Sequence, residues 1–353
     1  MNMNYWLFVF VQVFLAVAAI IAPLLQRKNL LFGVRLSKAL TDKPKAGQFR
    51  RKFIFWGVLS MSLWIVMGNY FLLKLNRVST YIIWGEIVIM FGLYIFFNKK
   101  VKLWKEKLYR DNPELRPKNP TKIIDTTFRN KKITISNYWS IIPGILVLGQ
   151  LVFNYIFSNF LLNDPVLMRQ TIALVIMNFI LLASIIWKNS MIRNVKLNLD
   201  ATAPKISEKQ VLAFRRRWSV YLYLLLTFLI IMNIGLNLLY LLKIETIFDF
   251  ILNRIYIYFF AIIFLVSALM VLLLGQSGSQ LKKNHNQKQS DIDEVDDDVH
   301  WKGGLIYYNP EDPSLWVDKR MGIGWTLNFG NKRAWIFVAI VLSIIIFSAI
   351  MEL

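Results

Sequence analysis

Residues 255–274 read IYIYFFAIIFLVSALMVLLL, twenty positions without a charged side chain. A helix needs roughly 20 mostly apolar residues to cross a hydrocarbon core about 30 Å thick, rising about 1.5 Å per residue. Lipid offers the backbone no hydrogen-bond partner, so a single run of this kind crosses only as a helix. Seven more stretches of this character occur: Tyr5–Leu25, Phe53–Leu73, Thr80–Phe97, Tyr138–Ser158, Thr171–Trp187, Val220–Leu242 and Ala334–Met351. Strand-type alternation is absent from them, which excludes a β-barrel. The fold class expected is an all-α integral membrane protein of about eight transmembrane helices.

Composition agrees. Of 353 residues, 56% are apolar and only 18% charged, against about a quarter in a soluble chain. Mean hydropathy is +0.46, yet the net charge is +21. Apolar segments in lipid joined by basic loops on one side reconcile the two numbers. A soluble enzyme, a disordered chain and a disulfide scaffold are excluded. With no cysteine there is no disulfide, thiolate metal site or cysteine nucleophile.

The loops alternate. Segments 26–52, 98–136, 188–217 and 276–333 carry 37 of the 42 Lys and Arg residues. The positive-inside rule assigns them to the cytoplasm and both termini to the outside. Residues before Tyr5 carry no basic charge, and Arg27–Lys28 follows the first apolar run, so an uncleaved anchor is expected. The expected partner of the basic loops is a bilayer with an anionic inner leaflet, not nucleic acid. Lys99–Arg110, KKVKLWKEKLYR, has the pattern of a helix lying on that leaflet, ended by Pro113. Ser207 and Gln210 have capping-box spacing ahead of the sixth span.

Four regions follow. Residues 1–275 form a seven-helix bundle with basic cytoplasmic loops. Residues 276–299 form a flexible acidic linker, with six acids between Asp291 and Asp298. Residues 300–333 form a small cytoplasmic module rich in aromatics and glycine, and 334–353 the last helix. Within the module, Leu305–Tyr308 and Leu315–Val317 are strand-like, separated by the turn-forming Asn309–Ser314. Trp301, Tyr307, Tyr308, Trp316 and Trp325 are expected to hold it. It is also where a cytoplasmic protein partner would bind.

Catalytic patterns are missing. There is no HExxH, no GxSxG, no aspartate inside a span and no GK[ST] after the module's glycines. His285 and His300 are the only histidines. No cofactor, metal or catalytic residue is expected. One acid, Glu86, lies within a span, and an ionisable group in hydrocarbon is by default a functional candidate. Gln12, Asn69, Asn154, Asn178, Asn233 and Asn237 lie at comparable depth from the outer ends. Asn233 and Asn237 share a helix face, as do Gln150 and Asn154. Two readings stand. In one, Glu86, Asn69, Asn154, Asn178, Asn233 and Asn237 line an outward-facing polar cavity. In the other, the amides bond between helices as packing elements while Glu86 reaches toward the interface.

Three segments carry a resemblance: WKGGLIYYNPEDPSLWVDKRMGIGWTLNFG from Trp301, Phe32–Arg35, and Arg215–Trp218. Together they resemble bacterial multi-pass membrane proteins of unknown function, mostly Gram-positive and distantly similar to the immunity and signalling proteins of the sporulation-delay toxin system. The resemblance implies a membrane location and peptide-toxin immunity or envelope signalling, and no catalytic residues. Related proteins often carry an LPxxIPxHF-like signature in an outer loop. Here Ser158–Gln170 retains only Pro165 of it. The expected function is therefore a non-enzymatic immunity or envelope-sensing protein that binds a membrane-active peptide or lipid. The alternative is a proton-coupled secondary transporter using Glu86.

Overall fold

Each apolar stretch is helical in the structure, a computed structural model that describes residues 3–27, 29–37, 40, 43–74, 79–116, 131, 133–197, 199, 204–242, 256–279, 281 and 296–351. The helices are α1 (Met3–Ile21), α2 (Pro44–Lys74), α3 (Ser79–Asp111), α4 (Ile141–Ile156), α5 (Pro165–Arg193), α6 (Pro204–Leu241), α7 (Tyr256–Leu274) and α8 (Lys332–Met351). Five of them, α2 to α6, with α4 extended by the turn before it, are long and apolar enough to cross a membrane. The other three, α1, α7 and α8, run 19, 19 and 20 residues. Their outward faces are apolar too: α2 exposes Phe55, Trp56, Leu63 and Val66. A helix facing water would place polar side chains there.

Two inner ends differ from expectation. Lys99–Arg110 is the uninterrupted continuation of α3, not a separate helix lying on the leaflet. No glycine or proline stands between Phe97 and Asp111, and its Lys, Leu and Glu residues favour helix. Val101, Trp104 and Lys105 from this continuation are buried. Ser207 does not cap α6, which begins at Pro204, a residue suited to a first helical turn.

The chain divides into two compact units. The first comprises residues 1–124, 195–210 and 271–353, and the second residues 125–194 and 211–270. In the first, α1, α2 and α3 pack on one another around an aromatic core. Phe32 stands 4.9 Å from Phe53 and 5.3 Å from Phe97 between ring centroids. Phe32 belongs to the turn of a hairpin, β1 (Leu30–Leu31) with β2 (Val34–Arg35). Phe32 and Gly33 both have positive φ, 48° and 75°, as a two-residue hairpin turn requires. The Asn98 amide donates to the Phe32 carbonyl at 2.7 Å, tying the turn to α3.

The rest of the first unit includes the aromatic module. Strands β3 (Trp301–Lys302) and β4 (Ile306–Tyr307) form one hairpin, and β5 (Trp316–Asp318) and β6 (Trp325–Leu327) another. A bridge between Tyr307 and Asn328 joins them. The expected turn at Asn309–Ser314 is organised by Asn328, which is fully buried. Its amide donates to the carbonyls of Asn309 and Asp312, both at 2.9 Å, and its oxygen accepts from the Asn309 N–H. Trp301, Tyr307 and Val317 form the small core. Tyr308 takes no part in it: it lies just past the end of β4 and is exposed.

The second unit contains α4, α5, most of α6 and the first part of α7. Val147, Ile185, Tyr223 and Ile230 form its core. The Tyr223 hydroxyl donates to the Trp139 carbonyl at 3.0 Å, and Asn189 donates to the Ile135 carbonyl at 2.8 Å.

Candidate functional site

The polar residues expected to share one cavity fall into two sets, each internal to its own unit. In the first unit, Gln12 of α1, Asn69 of α2 and Glu86 of α3 come together, with exposures of 0%, 8% and 2%. The Asn69 amide donates to Gln12 Oε1 at 2.8 Å and to the Ile65 carbonyl of its own helix at 2.8 Å. That leaves Gln12 Nε2, Asn69 Oδ1 and both oxygens of Glu86 without a hydrogen bond. The Gln12 amide faces the Glu86 carboxyl as a poorly aligned hydrogen-bond donor. Close helix packing fixes the cluster. A Cβ on Gly85 would sit 2.0 Å from the Trp64 ring, and the Trp64 indole donates to the Ile82 carbonyl at 2.9 Å, locking α2 to α3 one turn before Glu86.

The second set is closed. Asn178 donates to Gln150 Oε1 at 2.8 Å, and Gln150 donates to Asn237 Oδ1 at 3.1 Å. Asn237 donates to Thr171 Oγ1 at 3.3 Å, and Asn233 donates to Asn178 Oδ1 at 3.2 Å. The chain of amides links α4, α5 and α6, and none of its members has a buried polar atom left without a partner. Asn154, one turn from Gln150, stays outside it, with its buried oxygen unpartnered. Asn178, Asn233 and Asn237 thus bond between helices. The unsatisfied acid and its two amides are a different arrangement: polar groups aimed at one another that do not complete one another.

A third polar assembly escaped the sequence reading. Residues 282–295 of the expected acidic linker, and His285 with them, lie outside the described residues, but the linker's far end is far from solvated. Arg320, 3% exposed, ion-pairs with both Asp297 and Asp298 and donates to the Gly33 carbonyl. Arg35 pairs with Asp297 at 3.1 Å. Lys105 pairs with Asp298 at 2.8 Å and with Asp296. Burial would raise both acids, but Arg35 and Arg320 beside Asp297, and Arg320 and Lys105 beside Asp298, hold both carboxyls below the usual range. Asp312 follows the same logic. Burial opposes its charge, while Lys196 and the backbone N–H of Ser314 hold it down at about 2, and the Tyr307 hydroxyl donates to it at 2.9 Å. The pairs join residues far apart in the chain, so no local pattern announces them. The one signal was that Phe32–Arg35 and the segment from Trp301 stood out together.

Among the described residues no group of three His, Asp or Glu side chains is placed to hold a metal ion. Residues 310–335 match a family of unknown function (DUF5808). The matched stretch spans the Asp312 turn, β5, β6, Arg320 and the start of α8, most of it within the module that carried the resemblance. No curated protein matches the chain, and no solved structure does.

Proposed function

We propose that this chain is a non-enzymatic protein of the cell membrane with eight spans, both termini outside and its basic loops in the cytoplasm. In this reading it serves peptide-toxin immunity or envelope sensing. The observation that carries it is the incomplete cluster of Gln12, Asn69 and Glu86. A buried carboxyl with no well-aligned donor costs free energy in a low-dielectric interior, and leaving it so makes sense where a ligand supplies the missing group. Gln12 Nε2 offers a donor, Asn69 Oδ1 an acceptor and Glu86 a carboxyl group. That set suits an amine or amide of a cationic, membrane-active peptide, or a lipid bearing one.

The test is survival of cells with and without the protein across a panel of membrane-active peptides, with Glu86→Gln expressed at the same level. Protection by the natural protein and its loss in the variant is the expected result. If deleting the protein changes no sensitivity, immunity is set aside. The same undonated carboxyl favours a second reading, in which Glu86 loads and releases a proton during secondary transport. Vesicles containing the protein would then move protons with a solute, and Glu86→Gln would abolish that flux.

A further inference from the structure

At the hairpin-bearing end of the first unit, where the chain leaves α1 and α7, lies a small cavity of about 30 Å³ open on one side. Arg27, Arg35, Lys319 and Arg320 line it, against two acids, Asp297 and Asp318. Three of the cations are committed. Arg27 pairs with Asp318 at 3.1 Å, Arg35 with Asp297, and Arg320 with Asp297 and Asp298. Lys319 is not. It lines the cavity from an exposed position and has no ion pair among the described residues.

A second observation points the same way. Trp301 lines the cavity and is 8% exposed, and its indole N–H has no acceptor. The ring is held from behind, with the Arg320 guanidinium 4.9 Å above its centroid and Tyr307 5.1 Å away. A buried donor without an acceptor, beside a surplus cation, fits an anion that accepts hydrogen bonds. The volume matches one or two water molecules. A single phosphate group enters with its substituent outside, and a nucleotide does not.

We propose that this cavity binds one phosphate group, presented by an anionic lipid headgroup or by free inorganic phosphate. The inference is independent of the Glu86 cluster. Its place directly after the ends of α1 and α7 is where a headgroup lies if those helices span, and basic side chains at that level favour anionic lipid.

The test uses the full chain in a neutral detergent. Native mass spectrometry measures retention of phosphatidylglycerol against phosphatidylcholine, and thermal unfolding is followed as inorganic phosphate is added. Lys319→Ala, which breaks no ion pair, is expected to fold normally and to bind at least tenfold more weakly. Lys319→Arg should restore binding, and Trp301→Phe, which keeps the ring and removes the N–H, should weaken it severalfold. Retained phosphatidylglycerol that inorganic phosphate displaces assigns the site to a headgroup. Stabilisation by inorganic phosphate without lipid retention assigns it to the free ion. If neither probe binds, or if the natural protein and Lys319→Ala bind alike, the proposal is overturned.

Discussion

Two sets of polar side chains sit inside the helix packing of this protein, and they differ in one respect. The set of Gln150, Asn178, Asn233, Asn237 and Thr171 closes on itself through four hydrogen bonds. The set of Gln12, Asn69 and Glu86 makes one well-formed bond between its members and leaves four polar atoms without a well-aligned partner. Both are buried and both join three helices. The closed set is what inter-helix glue looks like, and the open set is what a receptive site looks like. Burial and depth do not separate them. Stoichiometry of donors and acceptors does.

That contrast makes opposite demands on stability and function. A fully partnered charge defines the upper end of the scale. Arg320→Ala, which takes one of two cationic partners from each of the half-buried Asp297 and Asp298, is expected to cost about 3 kcal/mol, read as the largest drop in thermal midpoint of any variant named here. Gln150→Leu comes next. It leaves Asn178 Nδ2 and Asn237 Oδ1 without partners, at about 1–2 kcal/mol in a membrane interior. A stability equal to the natural protein's would show the closed set to be ornamental and break the contrast.

Asp312 gives a smaller, pH-dependent term. Its folded value of about 2 lies below the ordinary 3.8. Its stabilisation is therefore complete above pH 4 and is lost as pH falls through 2, by about 1–2 kcal/mol. Hydrogen exchange in Tyr307–Asp318 should quicken over that window, and Asp312→Asn should remove the dependence. The smallest stability effect belongs to Glu86→Gln. Exchanging an undonated acid for an isosteric amide is expected to change stability by less than about 1 kcal/mol, with any gain in the direction of greater stability. A large loss would mean that Glu86 has structural partners after all and would erase the difference between the sets.

The helices were legible because lipid-length apolar runs have one physical outcome. Their inner ends were not. Around Lys99–Arg110 a basic amphipathic pattern suits a leaflet surface and a helix extension equally, and only the burial of Val101 and Lys105 decides between them. Depth within a span identified Glu86, Asn69 and the asparagines as a class. It could not say which helix meets which, and so which of these side chains bond to one another. The pairing of Lys105 with Asp298, 193 positions apart, has no local trace at all. Nor does the capping of the Asn309–Ser314 turn by Asn328, although the turn itself was plain from its residues.

The meeting of two glycine turns carries a further consequence. A Cβ on Gly33 would lie 2.8 Å from Gly304 Cα, so the first hairpin and the last module fit only backbone to backbone. Residue 33 leaves the ribosome 271 residues before residue 304. Chains fold from their N-terminal parts during synthesis, so the Phe32–Gly33 turn waits uncovered while the intervening helices are made. The first unit is sealed only when the module arrives, and Arg320 then clamps the Gly33 carbonyl. Docking of the module thus requires that residues 300–330 have been made, and a chain halted before residue 300 is expected to leave the Gly33 side of the hairpin turn uncovered.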